Sequence, residues 1–91
     1  MLFPLYDVKF RKGEEWIIVS GQIRNDSHKN FTLAVFKIIL FSKNLIIGSG
    51  TIKIHNFRSK TTKNFEQILT GVGYHLIPSI DRYDIVLERG S

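Results

Sequence analysis

The sequence predicts an all-β protein, an antiparallel sandwich of two sheets built from six or seven short strands, with at most one short helical turn near residues 74–79. Three observations predict it. In Trp16–Arg24 the residues Ile17, Val19, Gly21 and Ile23 recur at every second position against Ser20, Gln22 and Arg24; a half-buried strand has that period, whereas a helix would repeat at three and four. Comparable runs return along the chain, separated by clusters of Gly, Asn, Asp and Ser, the spacing of a two-sheet sandwich. The composition is rich in Ile, holds 7 Phe and has Ala34 as its single alanine, which favours strands over helices.

The first strand covers Leu5–Arg11, with Tyr6, Val8 and Phe10 on one side. Lys12-Gly13-Glu14-Glu15 is a turn by composition, with Gly13 free to take positive φ, so the first two strands form a hairpin. The eight residues from Trp16 to Ile23 are the second strand. Arg24–Asn30 contains no apolar residue and reads as a surface loop. Phe31–Ser42 is long and dense in β-branched and aromatic residues, so a central strand is favoured over a helix. Ala34, Phe36, Ile38 and Leu40 share one side of it; Leu33, Val35, Ile39 and Phe41 share the other. Ser42-Lys43-Asn44 is a tight connection to the return strand Leu45–His55, whose Gly48 and Gly50 leave room for a bulky neighbour, with Phe36 or Trp16 as candidates. Asn56–Lys63 reads as a second polar loop, and Thr62–Thr70 as a short strand carrying Phe65 and Leu69, ended by Gly71 and Gly73. Tyr74–Ile80 fits neither period and closes at Pro78. Asp81–Glu88 is the last strand, with Tyr83, Ile85 and Leu87 on one side. The expected core is Val19, Ile23, Phe36, Ile38, Leu40, Phe65 and Ile85. Gly21 stands where the alternation calls for an apolar inward residue, so it is expected to make room for Trp16, Phe36 or Phe65.

At 91 residues the chain is read as a single domain, 1–91. With no Cys it has no disulfide, thiolate metal site or cysteine nucleophile, and cysteine usage leaves the compartment open. Met1–Leu5 is too short for a signal segment, and no apolar run reaches the roughly 18 residues that a membrane span requires. The formal charge of +5, from 13 Lys and Arg against 8 Asp and Glu, is compatible with an anionic partner and is also ordinary for a small soluble surface.

The order Val19-x-Gly21-x-Ile23, Asn25-x-Ser27, a long apolar strand ending Leu40-Phe41-Ser42, Ile46-Ile47-Gly48 and Lys63-Asn64-Phe65-Glu66 resembles the FxLYD domain and its relatives over roughly residues 6–88. The resemblance implies an immunoglobulin-like sandwich of the kind found in bacterial and archaeal proteins that are often secreted or anchored in the cell envelope. Two departures stand against it: the closing motif keeps only Leu40 and an aromatic before Ser42, and the literal Phe3-Pro4-Leu5-Tyr6-Asp7 falls in the first strand. The family brings no established active site, so no catalytic residue is carried over.

The residues themselves point away from catalysis. His28, His55 and His75 are the available imidazoles, and none sits in a motif with a nucleophile. Asp81, Asp84 and Glu88 near His75 alternate with apolar residues as an exposed strand face does, so no metal or other cofactor is expected. Gly48-Ser49-Gly50 and Gly71-Val72-Gly73 lack the continuation of a phosphate loop. Asn25-Asp26-Ser27 and Asn30-Phe31-Thr32 match the glycosylation pattern. Two partner readings follow. The preferred one is a protein contact or self-association through apolar residues assigned outward: Trp16, Ile18, Leu33, Val35, Ile39 and Phe41. The alternative is nucleic-acid binding by the basic stretch 53–63, with Lys53, His55, Arg58, Lys60 and Lys63 around Phe57 as the stacking aromatic.

Overall fold

The structure, a computed structural model, describes residues 2–91. Six strands follow one another: β1 (Leu5–Lys12), β2 (Trp16–Arg24), β3 (Phe31–Ser42), β4 (Leu45–Phe57), β5 (Thr62–Gly73) and β6 (Arg82–Gly90), with a 3-10 helix at Tyr74–Ser79 between the last two. They form two antiparallel three-stranded sheets, ordered β1-β2-β5 and β4-β3-β6. The expected class, hairpins and short helical turn are all present.

Turn chemistry sets the registers. Lys43 and Asn44 both have positive φ, 50° and 67°, the pair of left-handed residues that a two-residue hairpin of type I′ requires, and they bring Ser42 opposite Leu45. In the first hairpin Gly13 does not use positive φ, contrary to expectation; its lack of a side chain lets its amide reach the Trp16 carbonyl at 3.0 Å, where an added Cβ would stand 2.7 Å from that oxygen. The positive-φ glycine is Gly71, at φ 92°. It lies in the segment where β5 bulges between the partners of Ile17 and Trp16, which extends β5 past its expected end and turns Val72 into the core.

Between the sheets, Ile17, Val19 and Ile23 of β2 face Ala34, Phe36, Ile38 and Leu40 of β3, all without exposed surface. The remaining expected core residues behave as read, except that Ile85 is half-buried at an edge. In β1 the alternation fails. Asp7 takes φ 52° and the pairing with β2 slips between Tyr6 and Lys9, so Leu5, Val8 and Phe10 pack on the core while Tyr6 turns out to solvent.

That bulge explains Gly21. A Cβ there would meet the Tyr6 carbonyl oxygen at 3.0 Å, the Val8 Cα at 3.2 Å and the Phe65 ring at 3.3 Å. Phe65, paired with Gly21 across the β2–β5 ladder, is the bulky neighbour, together with the bulged backbone of β1; Trp16 and Phe36 are not. Gly21→Val is expected to cost about 1–3 kcal/mol, because backbone cannot withdraw as a side chain can. Thermal melting reads the loss, and an unchanged midpoint would contradict this packing. Gly48 and Gly50 also serve close approach, but to β5: added Cβ atoms would lie 2.8 Å from Val72 and 2.3 Å from Leu69, not against Phe36 or Trp16. The two glycines let the β4 and β5 edges close on each other.

Candidate functional site

The outer face of β4-β3-β6 carries a row of apolar residues edged by cations. β3 supplies Leu33, Val35, Lys37, Ile39 and Phe41, because Ala34, Phe36, Ile38 and Leu40 between them are committed to the core. Across the ladders Val35 stands between Lys53 of β4 and Arg89 of β6, Lys37 between Thr51 and Val86, Ile39 between Ser49 and Asp84, and Leu33 opposite His55. Residues so paired have Cβ atoms about 5 Å apart, within reach of one another's stems. The Arg82 guanidinium lies 3.8 Å from the centre of the Phe41 ring and donates to Asp84 at 3.3 Å. Among the described residues Lys37, Lys53 and Arg89 enter no ion pair.

Val35, assigned outward, is nevertheless only 5% exposed, and Leu33, Ile39 and Phe41 are half-buried. Among the described residues no further layer lies on this face, and Val35 is flanked across the ladders by Lys53 and Arg89, whose aliphatic stems are long enough to shield an apolar neighbour while their charged ends stay in water. Two grooves flank Val35. One of about 330 Å³ is lined by Leu33, Val35, Arg89, Gly90 and Ser91, and one of about 410 Å³ by Val35, Thr51, Lys53, Glu88 and Arg89.

The other two expected contact residues lie elsewhere. Trp16 and Ile18 are half-buried on the outer face of β1-β2-β5, on the opposite side of the sandwich, beside exposed Ile68 and the Arg11–Glu66 ion pair. The six residues therefore do not make one patch. Period-two reading assigned them outward but could not say which sheet each strand joins.

The basic stretch 53–63 is likewise divided. Lys53 and His55 belong to the outer face of β4, Lys63 lies on β5 opposite Ile23 of β2, and Arg58 and Lys60 occupy the short connection between β4 and β5. Phe57 is fully buried, contrary to its expected role as a stacking aromatic. Asn56 at φ 51° reverses the alternation after exposed His55 and turns the ring inward, where it packs edge-on against Phe36 at 6.2 Å. Lys37, Arg82 and Arg89, which sequence spacing did not group with Lys53, are the cations that folding places on the same face.

One buried polar residue holds the end of the sandwich together. Asn25, assigned to a surface loop, has no exposed surface. Its Nδ2 donates to the carbonyls of Lys29 at 2.9 Å and Phe57 at 3.1 Å, and its Oδ1 accepts from the Ser27 amide at 3.0 Å and the Ser27 hydroxyl at 2.5 Å. The backbone of Asn25 adds bonds to Thr61 and Lys60, and the Lys60 ammonium donates to the Asp26 carbonyl at 2.7 Å. The loop after β2 is thus tied to the one after β4, and Asn25 offers no free amide to a glycosylating enzyme. The Asn25-x-Ser27 spacing was the available signal: Asn with Ser two residues on is the pattern of a side chain capping its own turn.

Asp81 accepts from the Lys43 amide at 2.5 Å and Asp84 pairs with Arg82, so neither carboxylate stands uncommitted beside His75. Among the described residues no three His, Asp or Glu side chains gather closely enough to hold a metal ion. Among the described residues no helix is long and apolar enough to cross a membrane. Compared with family models, with curated proteins and with solved structures, the chain finds no match, and the likeness to the FxLYD domain rests on its short motifs.

Proposed function

We propose that this chain is a non-catalytic interaction domain that binds an acidic protein surface through the outer face of β4-β3-β6. The observation that carries the reading is the row Leu33, Val35, Ile39 and Phe41 with Lys37 in the row itself, Lys53 and Arg89 paired on either side of Val35, and Arg82 over the Phe41 ring. Such a face offers apolar area at its centre and positive charge at its rim, the anatomy of a protein contact in which rim charges orient an oppositely charged partner. The immunoglobulin-like reading is supported by strand order: β2 beside β5 and β3 beside β6 repeat the B–E and C–F neighbours of that fold. Together with the FxLYD resemblance, it supports reading the domain as part of a secreted or envelope-anchored prokaryotic protein. Nucleic-acid binding through 53–63 is the weaker reading, because Phe57 is not available to stack a base.

A synthetic peptide alternating Glu and Leu, titrated beside a single-stranded oligothymidylate, separates the two. Binding of the peptide is expected to fall about tenfold in the double variant Lys53→Glu, Arg89→Glu and to weaken with salt. Tight oligothymidylate binding that is lost on changing Arg58, Lys60 and Lys63 to Ala would favour the nucleic-acid reading instead.

A further inference from the structure

Of the four strand edges, three are blunted. The edges of β4 and β5 close on each other through Gly48 against Val72 and Gly50 against Leu69, and β1 is broken by its bulge at Asp7. β6 is different. It pairs with β3 in unbroken register from Arg82 to Leu87, slipping only past Leu87, where Glu88 is an extra residue on the outer face, and among the described residues its other edge receives no backbone hydrogen bond. Behind that edge the sandwich is less well sealed: Tyr83, Ile85 and Leu87 are half-buried, whereas Ile52 and Ile54 on β4 are 1% and 4% exposed. A hollow of about 550 Å³, lined by Pro4, Leu5, Tyr83, Asp84, Ile85 and Val86, opens there.

We propose that the β6 edge docks the β6 strand of a second copy of this chain, antiparallel, with Ile85 opposite Ile85 on the two-fold axis. Directly opposed residues of an antiparallel pair point to the same side of the sheet, so Tyr83, Ile85 and Leu87 must meet one another and the even-numbered residues must do likewise. Three central registers satisfy that condition. Centring on Asp84 sets two carboxylates face to face, and centring on Val86 sets Asp84 against Glu88. Centring on Ile85 sets Arg82 against Glu88 twice, Tyr83 against Leu87 twice and Asp84 against Val86. It is the one register of the three without opposed like charges, and it covers the half-buried row. The product is a six-stranded sheet, β4-β3-β6-β6-β3-β4, in which the basic outer faces of both copies join. The inference stands independently of what that face binds.

Sedimentation across a wide concentration range tests it. A dimer of the 10.5 kDa chain is expected. Glu88→Arg, on an exposed side chain, sets Arg against Arg82 at both ends and is expected to raise the dimer dissociation constant about tenfold, with recovery in the exchanged pair Arg82→Glu, Glu88→Arg. The chain has no cysteine of its own. Ile85→Cys places two sulfurs on the axis across a Cα separation of about 5 Å, so oxidation is expected to link the copies, while Arg89→Cys stays unlinked. A monomer at every concentration would leave the edge to a strand from another protein and overturn the proposal. So would a dimer indifferent to Glu88→Arg, or equal cross-linking by the two cysteine variants.

Discussion

Phe57→Ala is expected to lower the free energy of unfolding by about 3–5 kcal/mol, the largest loss at any position considered. The ring has no exposed surface and sits among Phe36 at 6.2 Å and Phe3 at 6.3 Å, so removing it leaves a cavity lined by two aromatic rings. The edge-on contact with Phe36 adds about 0.5–1.5 kcal/mol beyond simple burial. A domain of this size holds about 5–15 kcal/mol in total, so the variant is expected to be partly unfolded well below the melting temperature of the parent. Urea denaturation followed by circular dichroism measures it. A loss under about 1 kcal/mol, the scale of a surface substitution, would mean that the ring lies outside the core, and Phe57 would return as a candidate to stack a base.

Asn25→Ala is expected to cost about 2–4 kcal/mol. Its carboxamide makes four hydrogen bonds, and truncation takes the Asn25 donor from the Phe57 carbonyl and the acceptor from the Ser27 amide, and leaves the Lys29 carbonyl with only the long bond from the Ser27 hydroxyl. A buried polar group left unpaired costs about 1–3 kcal/mol, and water reaches the Lys29 end more readily than the Phe57 end. Asn25→Asp separates bonding from shape. The carboxylate still accepts from Ser27, but it sets negative charge against two carbonyl oxygens, so its loss should equal or exceed that of alanine. Hydrogen exchange at the Lys60 amide, which bonds to the Asn25 carbonyl at 2.6 Å, should quicken in both variants if the two loops separate. An undisturbed Lys60 amide would show that the Ser59–Asn30 and Ser59–Ser27 bonds hold the loops without Asn25.

Periodicity made the sheets legible wherever a strand ran straight. Ile17, Val19 and Ile23, and Ala34, Phe36, Ile38 and Leu40, face the core as alternation requires. It failed where the backbone leaves extended geometry. Asp7 and Asn56, both non-glycine residues at positive φ, each reverse the alternation, which hid the exposure of Tyr6 and the burial of Phe57. Asp and Asn are the side chains that most readily take this conformation, but most Asp and Asn residues do not, so residue type alone does not single out these two. For the same reason the glycines of β4 were recognised as sites of close approach while their neighbours were misjudged: Leu69 and Val72 reach them only because β5 folds back along the β4 edge. The candidate face was half legible. Leu33, Val35, Ile39 and Phe41 follow from one strand, but the cations beside them come from β4 and β6, and only strand order brings Lys53 and Arg89 to either side of Val35.

The claim that this face is the binding surface is tested most directly by mapping amide chemical shifts during the titration with the Glu-Leu peptide. The account predicts that the perturbed amides cluster at Leu33–Phe41, Thr51–His55 and Arg82–Arg89, and that the pattern disappears in the Lys53→Glu, Arg89→Glu variant. Perturbation centred on Arg58–Lys63 or on Trp16 and Ile18, with the β3 amides unmoved, would contradict it.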